Sequence, residues 1–327
     1  MNILTKCHRF LILSIITIVT SPVLAQQLPE MYYTDRSSGL PIAKDPKIVS
    51  FKGNYWMYYS IPGENNNGWH IGIAKSTNLS NWNKVGEINA NAAYEANGLC
   101  APGAFVKGDT LHLFYQTYGN KRKDAICHAW TTNGIDFNRN ITNPIFNPTG
   151  DWTCGRAIDA EVVEFDNKYL LFFATRDTSF TIQKQGVAYA DLTSNFAKND
   201  WTQLTDESIM TPILAWEKKC VEGASCIKKG KYLYMFYAGG YNNEPQQIGI
   251  ARSKDGVNWK RKSKNPFLKN GEVGSWNASE SGHPDVFKDN EGKHWLFFQG
   301  NNTYDAKSWY LSKIELKWNN NNWPKIK

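Results

Sequence analysis

One short pattern occurs five times in this chain of 327 residues, and it constrains the fold more than any other feature. Each copy has a short apolar strand, a tight turn that usually contains glycine, and a second strand rich in aromatic residues. Residues 229–231 form such a turn, and residues 232–237 form the aromatic strand after it. This order is typical of a β-hairpin. The copies begin at Asp45, Ala101, Asp159, Glu222 and Pro284, at intervals of about 60 residues.

Each copy continues beyond its hairpin with a third strand, such as residues 71–74 or 248–251, and with a fourth near a tryptophan. Repetition of four short strands at this interval indicates a β-propeller. A two-sheet sandwich is the alternative, but it does not explain why every unit starts with the same hairpin. We therefore predict an all-β fold, a five-bladed β-propeller with four-stranded antiparallel blades. Residues 26–327 contain no linker rich in proline or serine, and we predict that they form a single domain.

The first 25 residues have the composition of a secretory signal peptide. Lys6 and Arg9 precede a short apolar run, and small residues up to Ala25 offer a cleavage site. The apolar run has about ten residues, whereas a membrane span needs about 20. An anchoring helix is the alternative. We expect cleavage after residue 25, a periplasmic or secreted mature chain, and no membrane attachment after cleavage.

The charge pattern is that of an ordinary solvated surface. The net charge is +7, and the lysines are scattered, with only two short basic clusters at residues 121–123 and 260–262. This pattern does not favour a nucleic-acid partner. Aromatic residues make up 14% of the chain, which fits both strand packing and stacking on sugar rings. We expect a monomer whose partner is an oligosaccharide or polysaccharide substrate.

Five cysteines remain after the predicted cleavage, namely Cys100, Cys127, Cys154, Cys220 and Cys226. Their spacing does not match a zinc site. An oxidising compartment permits disulfides, but an odd number leaves at least one thiol unpaired. The sequence leaves the connectivity open.

Three of the five copies begin with a carboxylate, namely Asp45, Asp159 and Glu222. The first strands of a propeller surround its axis, so these side chains are expected to converge at the mouth of the central channel. Repulsion between carboxylates in a desolvated pocket raises at least one pKa. A proton donor then lies beside an ionised carboxylate, as glycoside hydrolysis requires. Each acid alone fits a turn or loop role, but their shared position favours catalysis.

The sequences around these acids resemble motifs of the family 43 glycoside hydrolases, which are five-bladed propellers. Lys-Asp-Pro at Asp45, Ile-Asp-Ala at Asp159 and Glu-Gly-Ala at Glu222 resemble the motifs of blades one, three and four, although Ala224 replaces the usual proline. The resemblance implies that Asp45 is the general base, Asp159 the residue that tunes the pKa of the acid, and Glu222 the general acid. It also implies an inverting reaction with the carboxyl groups of base and acid roughly 6.5–9.5 Å apart.

Families 32, 68, 117 and 130 are relatives with the same architecture. Lys44 and Lys47 flank the Asp-Pro pair, unlike the Asn-Asp-Pro-Asn-Gly motif of family 32. The Lys-Asp-Pro start resembles family 117, which cleaves anhydrogalactose from agar oligosaccharides, but residues 26–45 leave little room for the helical extension of that family. Arg156 and Arg176 are candidates for the phosphate pocket that family 130 requires.

Loops on the face of the channel mouth are expected to bind the substrate. The candidates are Trp69, His70, Trp152, Arg156 and Arg176, with Arg122, Trp216 and Trp276 in equivalent loops. An arginine there can hydrogen-bond sugar hydroxyls or a carboxylate, and an indole can stack on a sugar ring.

His283 lies one residue before the start of the fifth copy and is expected to face the axis. The resemblance implies substrate contact at this position and allows a calcium ion at the axis near His283. A packed, hydrogen-bonded histidine is the alternative. No metal ligands are assigned and no cofactor is expected to be required.

The leading functional hypothesis is an exported, exo-acting hydrolase of the α-L-arabinofuranosidase or β-xylosidase type. Its substrates would be fragments of plant or algal polysaccharides. The alternatives are a family 117-like anhydrogalactosidase acting on agar oligosaccharides and a non-catalytic carbohydrate-binding propeller. A binding protein would not need Asp45, Asp159 and Glu222 together, so their joint presence favours an enzyme.

Overall fold

The computed structural model describes residues 31–64, 68–303 and 307–327. The predicted signal peptide therefore lies outside the described residues. Within these ranges the chain folds into five sheets, each with four antiparallel strands. A membrane-crossing helix of sufficient length and hydropathy is not found in the described part of the chain.

The strands follow one another along the chain, blade by blade. Blade one contains β1 (Lys44–Phe51), β2 (Asn54–Pro62), β3 (Trp69–Ser76) and β4 (Asn83–Ile88). Blade two contains β5 (Leu99–Lys107), β6 (Thr110–Thr117), β7 (Ile126–Thr131) and β8 (Asn138–Arg139). Blade three contains β9 (Ile158–Phe165), β10 (Lys168–Arg176), β11 (Gln183–Asp191) and β12 (Thr202–Gln203).

The last two blades repeat this order. Blade four contains β13 (Val221–Lys229), β14 (Tyr232–Gly239), β15 (Gln247–Ser253) and β16 (Lys260–Arg261). Blade five contains β17 (Glu280–Lys288), β18 (His294–Asn301), β19 (Tyr310–Trp318) and β20 (Pro324–Ile326). Short 3₁₀ turns occupy Ala93–Glu95, Lys121–Lys123, Lys198–Asp200 and Ala215–Glu217.

The first strands of the blades form a closed ring. Strand β1 contacts β5, β5 contacts β9, β9 contacts β13, β13 contacts β17, and β17 contacts β1. The segment before β1 also reaches blade five, where Tyr33 pairs with Leu311 and Ile42 pairs with Trp309. The prediction of an all-β, five-bladed propeller with four-stranded antiparallel blades is confirmed.

Large side chains fill the spaces between neighbouring blades. Tyr58 and Tyr115 are fully buried between blades one and two, and Phe173 between blades two and three. Burying such a side chain contributes roughly 1.5–3 kcal/mol. The aromatic second strands that defined the sequence repeat therefore hold the blades together.

Every first strand has a β-bulge at the same place, and this bulge defines the repeat more sharply than the strand starts do. The bulged residues all have a positive φ; they are Asp45, Ala101, Asp159, Gly223 and His283. This left-handed conformation costs a residue with a side chain roughly 1–2 kcal/mol. Backbone strain of this kind is often found at functional sites.

The bulge corrects two assignments made from the sequence. Gly223, and not Glu222, has the position that Asp45 and Asp159 occupy, so Glu222 lies one residue before its bulge. In blade five this position belongs to His283 and not to Pro284. Comparison of the five repeats in the sequence did not reveal this, because the start of a strand does not show where the extra residue is inserted.

A buried ion cluster closes the channel below the bulges. Lys47 Nζ lies 2.6 Å from Glu161 Oε2 and 3.0 Å from Asp285 Oδ1. Between this cluster and the ring of bulges lies a cavity of about 30 Å³, which has room for about one or two waters. The site above is therefore a pocket and not an open pore.

The five cysteines that the structure describes are all free thiols. Cys154 is half-buried, whereas Cys100, Cys127, Cys220 and Cys226 are buried. The question of disulfide connectivity left open by the sequence therefore has a simple answer for these five residues, because none is paired.

Candidate active site

The structure brings the three predicted catalytic carboxylates to one cavity at the mouth of the closed channel. This cavity has a volume of about 270 Å³, and Asp45, Asp159 and Glu222 all line it with His283. Asp159, Glu222 and His283 are 8%, 6% and 9% exposed, so the groups that interact here are largely removed from water. Charges in such a place interact much more strongly than on the surface.

Hydrogen bonds between neighbouring blades fix the backbone of the ring. The bulged N–H of Asp45 donates to Gln299 Oε1 at 2.7 Å, and that of Asp159 donates to Gln116 Oε1 at 2.9 Å. Both acceptors lie on the second strand of the preceding blade. The strained conformation is thereby held by the neighbouring blade, and the carboxylates are fixed in place.

His283 lies between the predicted base and the predicted acid. Its Nδ1 is 3.1 Å from Asp45 Oδ1, and its Nε2 is 3.4 Å from Glu222 Oε1. Burial would lower the pKa of His283, but the surrounding carboxylates outweigh burial and raise this pKa to about 10. The ring is therefore an imidazolium at neutral pH.

The surroundings of Asp159 favour the protonated form of its carboxyl group. Burial raises its pKa, His283 and Arg156 oppose the rise, and the neighbouring charges of Glu222 and Asp45 reinforce it, so that the pKa of Asp159 is about 7. Its buried Oδ2 has no hydrogen-bond partner in the described part of the structure. A protonated carboxyl is suited to this position.

Glu222 differs from what the sequence led us to expect. Gln246 Nε2 donates to its Oε1 at 2.7 Å, and Gln183 Nε2 donates to its Oε2. Burial raises the pKa of Glu222, but the hydrogen bond and charge of His283 outweigh it and lower the pKa. The resemblance implies that Asp159 tunes the pKa of Glu222, whereas here His283 is the direct neighbour that lowers it. The imidazolium contacts Glu222 directly and favours its ionised form, whereas burial favours a proton on Asp159.

Lys44 is a further residue of the site, and the sequence indicated it only as the first residue of the Lys-Asp-Pro motif. Its Nζ lies 5.3 Å from the ring centre of Trp69 and 4.7 Å from that of Trp309, and it donates to Asn242 Oδ1 at 3.1 Å. Burial lowers the pKa of Lys44, but the nearby carboxylates, with Asp45 first among them, outweigh burial and raise it. Its position beside Asp45 in the chain was the available signal.

Four of the predicted binding residues line the catalytic cavity, namely Trp69, Arg156, Arg176 and His283. Sequence reasoning missed further lining residues, namely Gln116, Tyr118, Gln183, Tyr241 and Asn242. Polar residues such as Gln183 at the end of an apolar strand were the signal that could have indicated them.

Two predicted binding residues lie elsewhere. His70 lines a separate surface cavity with Ser37 and Glu87, because it follows Trp69 in β3 and successive side chains of a strand point to opposite faces. Trp152 packs against Phe173 inside blade three, and its Nε1 is buried without a partner among the described residues. Both are corrections to the predicted binding set.

The remaining loop residues named from the sequence also lie outside the catalytic cavity. Trp216 stacks on Tyr237, and Trp276 packs against Phe298. Arg122 is exposed and donates to the carbonyl of Thr178. These two tryptophans and Trp152 pack within the blades and are not arranged to stack on a sugar in the cavity.

The described residues contain one group with the composition of a metal site, formed by Asp159, Glu222 and His283, whose ligand atoms lie within 4.8 Å of one another. A metal would need a lone pair on a ring nitrogen of His283. Both ring nitrogens already face carboxylates as hydrogen-bond donors. The imidazolium supplies the positive charge at this point, and direct binding of a cation by His283 does not fit this arrangement.

Comparison with known proteins identifies the family. The sequence profile of glycosyl hydrolases family 43 matches residues 41–324. The chain belongs to glycosyl hydrolase family 43. It is therefore a glycoside hydrolase with a carbohydrate substrate. No curated protein sequence matches this family 43 chain.

Solved structures share its fold. A thermostable family-43 glycoside hydrolase has a TM-score of 0.69 and 20% identity, with 90% of this chain and 96% of that chain covered. An endo-1,4-β-xylanase from Bacteroides thetaiotaomicron has a TM-score of 0.66 and 20% identity, with coverage of 88% and 94%. An α-L-arabinofuranosidase from Lactobacillus brevis has a TM-score of 0.70 and 15% identity, with coverage of 91% and 94%. Identities this low establish the fold alone.

Proposed function

We propose that this family 43 protein is an exported, inverting hydrolase of the α-L-arabinofuranosidase or β-xylosidase type. Its substrates would be fragments of plant or algal polysaccharides. One observation carries the proposal, namely that Asp45 and Glu222 face each other across the imidazolium of His283. The similarity to an α-L-arabinofuranosidase supports the sugar class, and the composition of residues 1–25 supports export.

The spacing of the two carboxyl groups supports inversion. A whole imidazole ring and two hydrogen-bond distances separate Asp45 from Glu222. Inverting enzymes need roughly 6.5–9.5 Å between base and acid to admit a water, whereas retaining enzymes have about 5–5.5 Å. Asp45 then takes a proton from the attacking water, and Glu222 gives a proton to the departing oxygen.

Glu222 must gain a proton before it can act as the acid. Asp159, with a pKa of about 7, is partly protonated near neutral pH in the same cluster. His283 Nε2 lies 3.4 Å from Glu222 Oε1 and carries another. Binding of a sugar removes water and changes the balance within the cluster, so that a proton can move to Glu222 as the substrate arrives.

The closed cavity supports action at the end of a carbohydrate chain. The ion cluster of Lys47, Glu161 and Asp285 blocks passage along the axis. A volume of about 270 Å³ is small for a ligand site. We therefore propose an exo-acting monomer that admits a terminal sugar unit.

The reaction as proposed uses only side chains of this protein. A calcium ion near His283, which the resemblance allows, would have to be held through water, since both ring nitrogens face carboxylates. Activity measured before and after exhaustive treatment with EDTA tests this. Unchanged activity is expected if protein groups suffice, and loss that calcium restores would show that the ion is needed.

The central test is the variant Glu222→Gln. The wild-type protein is first screened on para-nitrophenyl glycosides, arabinan, xylan and agar oligosaccharides, and the anomer released is identified by NMR. We expect Glu222→Gln to lose about 10²- to 10⁴-fold in turnover while it still binds sugar. The matched control is Glu291→Gln in an exposed turn, which should keep full activity.

Each outcome of this test is informative. Unchanged turnover in Glu222→Gln would remove Glu222 from the role of acid. Wild-type binding of sugar without turnover on any substrate would favour the carbohydrate-binding alternative. Turnover on agar oligosaccharides alone would favour the anhydrogalactosidase alternative.

A further inference from the structure

The charges that line the catalytic cavity are unequal. Lys44, Arg156, Arg176 and His283 are cations, whereas Asp45, Asp159 and Glu222 are the carboxylates. A neutral sugar would need only hydrogen-bonding partners. An excess of positive charge in a largely desolvated cavity is unfavourable unless a negative group offsets it. Behind the lining, Asp124 pairs with Arg156 and Glu280 lies near Lys44, so the positive charge left for a ligand is concentrated at Arg176.

Arg176 is a cavity-lining cation that forms no ion pair among the described residues. It lies at the end of β10, and its Nε donates to Gln183 Oε1 at 2.9 Å. Within residues 31–64, 68–303 and 307–327, its two terminal nitrogens have no hydrogen-bond acceptor, and it forms no ion pair. The guanidinium lies 4.5 Å from the ring centre of Phe180 and 5.1 Å from that of Tyr241, so aromatic rings hold it in place.

Arg156 is beside Arg176 and is only partly neutralised. Its Nε lies 3.3 Å from Asp124 Oδ2, and its Nη1 lies 3.4 Å from Gln183 Oε1. Both guanidinium groups therefore share the oxygen of one uncharged glutamine. Such a pair presents several donors in a planar arrangement that suits a carboxylate or another oxyanion.

The rim of the cavity next to this pair is also basic. The Arg122 guanidinium lies 5.2 Å from the ring centre of Phe180, and the flanking Lys121 and Lys123 are exposed. The nearby carboxylate of Asp177 accepts backbone hydrogen bonds from Thr181 and Ile182 at 2.7 and 3.0 Å. Positive charge along an approach path attracts an anionic ligand.

The position of Arg156 and Arg176 near the proposed general acid relates this pair to the reaction. Gln183, which accepts from Arg176, donates from its amide nitrogen to Glu222. If Glu222 is the general acid, this side of the cavity receives the leaving group, because the acid protonates the departing oxygen. Arg176 is thus two hydrogen bonds from Glu222 and on the leaving-group side.

We infer that the leaving-group side of the cavity binds a carboxylate, carried by a uronosyl residue of the oligosaccharide, with Arg176 as the principal partner and Arg156 beside it. This inference rests on the proposed function for its assignment to the leaving-group side. The protein then releases a terminal neutral sugar from an acidic fragment. Inorganic phosphate and sulfate present the same oxyanion chemistry and are the alternative sources of the bound group.

Binding is measured by calorimetry with the Glu222→Gln protein, so that the probe is not consumed. The probe is xylotriose with a glucuronosyl branch, and its matched partner is the same oligosaccharide with the carboxyl group reduced to an alcohol. We expect the acidic probe to bind roughly 10- to 100-fold more tightly, as a charge-assisted pair of hydrogen bonds provides. Equal affinities, or no binding of the acidic probe, would overturn the inference.

Variants then assign the effect to residues. Arg176→Gln should abolish the preference for the acidic probe, and Arg176→Lys, which keeps the charge but not the planar fork, should keep part of it. The control is Arg252→Gln in blade four, whose guanidinium lies between Tyr232 and Trp323 away from the cavity. A preference that survives Arg176→Gln would overturn the assignment.

Separate titrations with inorganic phosphate and sulfate distinguish the sources of the anion. If phosphate binds more tightly than the acidic probe, and this binding depends on Arg176, the uronosyl assignment is overturned in favour of a free anion. A glycosyl phosphate product would then confirm that the bound group is phosphate. Turnover by Glu222→Gln tests the proposed function, whereas the ratio of the affinities for the acidic probe and for its reduced partner tests only this inference. The two failures are therefore distinguishable.

Discussion

The Nδ1 atom of His283 lies 3.1 Å from Oδ1 of Asp45. The other nitrogen of the same ring faces Glu222, so one imidazolium joins the predicted base to the predicted acid. The charge of this ring lowers the pKa of Glu222 and opposes the rise that burial causes in the pKa of Asp159. The protonation of the whole cluster therefore depends on His283.

The first prediction concerns His283→Gln. Glutamine keeps a hydrogen-bonding group but removes the positive charge, so the pKa values of Glu222 and Asp159 should rise. We expect the basic limb of the profile of kcat/KM against pH to move up by about 1 unit or more. The control is His294→Gln, a half-buried position in blade five beside Trp318. An unshifted basic limb would show that the imidazolium does not control the catalytic proton.

Asp159→Asn should have the opposite effect. The variant removes the carboxyl whose pKa is about 7 and leaves Glu222, whose pKa is lowered by His283, as the carboxyl that carries the proton. We expect kcat/KM at pH 7 to fall roughly 10²-fold and the basic limb to move to lower pH. Asp166→Asn, in the exposed turn of the same blade, is the control. A basic limb that stays in place would mean that Asp159 has no part in holding the proton.

The sequence predicted the fold and the convergence of the carboxylates because both follow from repetition. The hairpin recurs five times, and residues at the start of equivalent strands must surround one axis. The extra residue of each bulge leaves no mark in such a pattern. For that reason Glu222 was aligned with Asp45, although Gly223 has the equivalent backbone position.

The binding residues were predicted less well because loop position does not fix side-chain direction. Trp69 and His70 are neighbours in β3, yet only Trp69 lines the catalytic cavity. Trp152 was indistinguishable from a stacking residue until its packing on Phe173 was known. The sequence also could not predict which side chains of the site carry protons, because this depends on the 3.4 Å distance between His283 and Glu222.

Lys47→Met should destabilise the whole propeller. Among the described residues, Lys47 is the cation that pairs with the buried carboxylates of Glu161 and Asp285, and its removal leaves both of them without this charge. Breaking a buried ion pair in this way costs about 3–5 kcal/mol. Urea denaturation would measure the change in free energy of unfolding. The control is Lys317→Met at an exposed position of β19, where a change below about 0.5 kcal/mol is expected. Equal stabilities of the two variants would contradict this account of the ion cluster.

A pair of histidines in blade two, His112 half-buried and His128 buried, packs against Phe196 of blade three, and neither histidine lines the catalytic cavity. His112 Nδ1 is 2.9 Å from His128 Nε2, and Asn140 donates to His128 Nδ1 at 3.0 Å. Burial, with the charge of Lys107, lowers the pKa of His112 to about 4. Burial, with the charge of His112, lowers the pKa of His128 to about 3. Both rings are therefore neutral in the folded protein.

This pair should make the fold sensitive to acid. Below the unfolded pKa of about 6.5, protons bind the unfolded chain first, so stability is full above pH 6.5 and is lost as pH falls towards 4 and then 3. His112→Gln removes one of the two sites, and its free energy of unfolding should fall less between pH 7 and pH 4 than that of the wild type. Urea midpoints at both pH values measure this, with His70→Gln as the control at a surface cavity. Identical losses in wild type and His112→Gln would show that the pair is not the origin of the acid sensitivity.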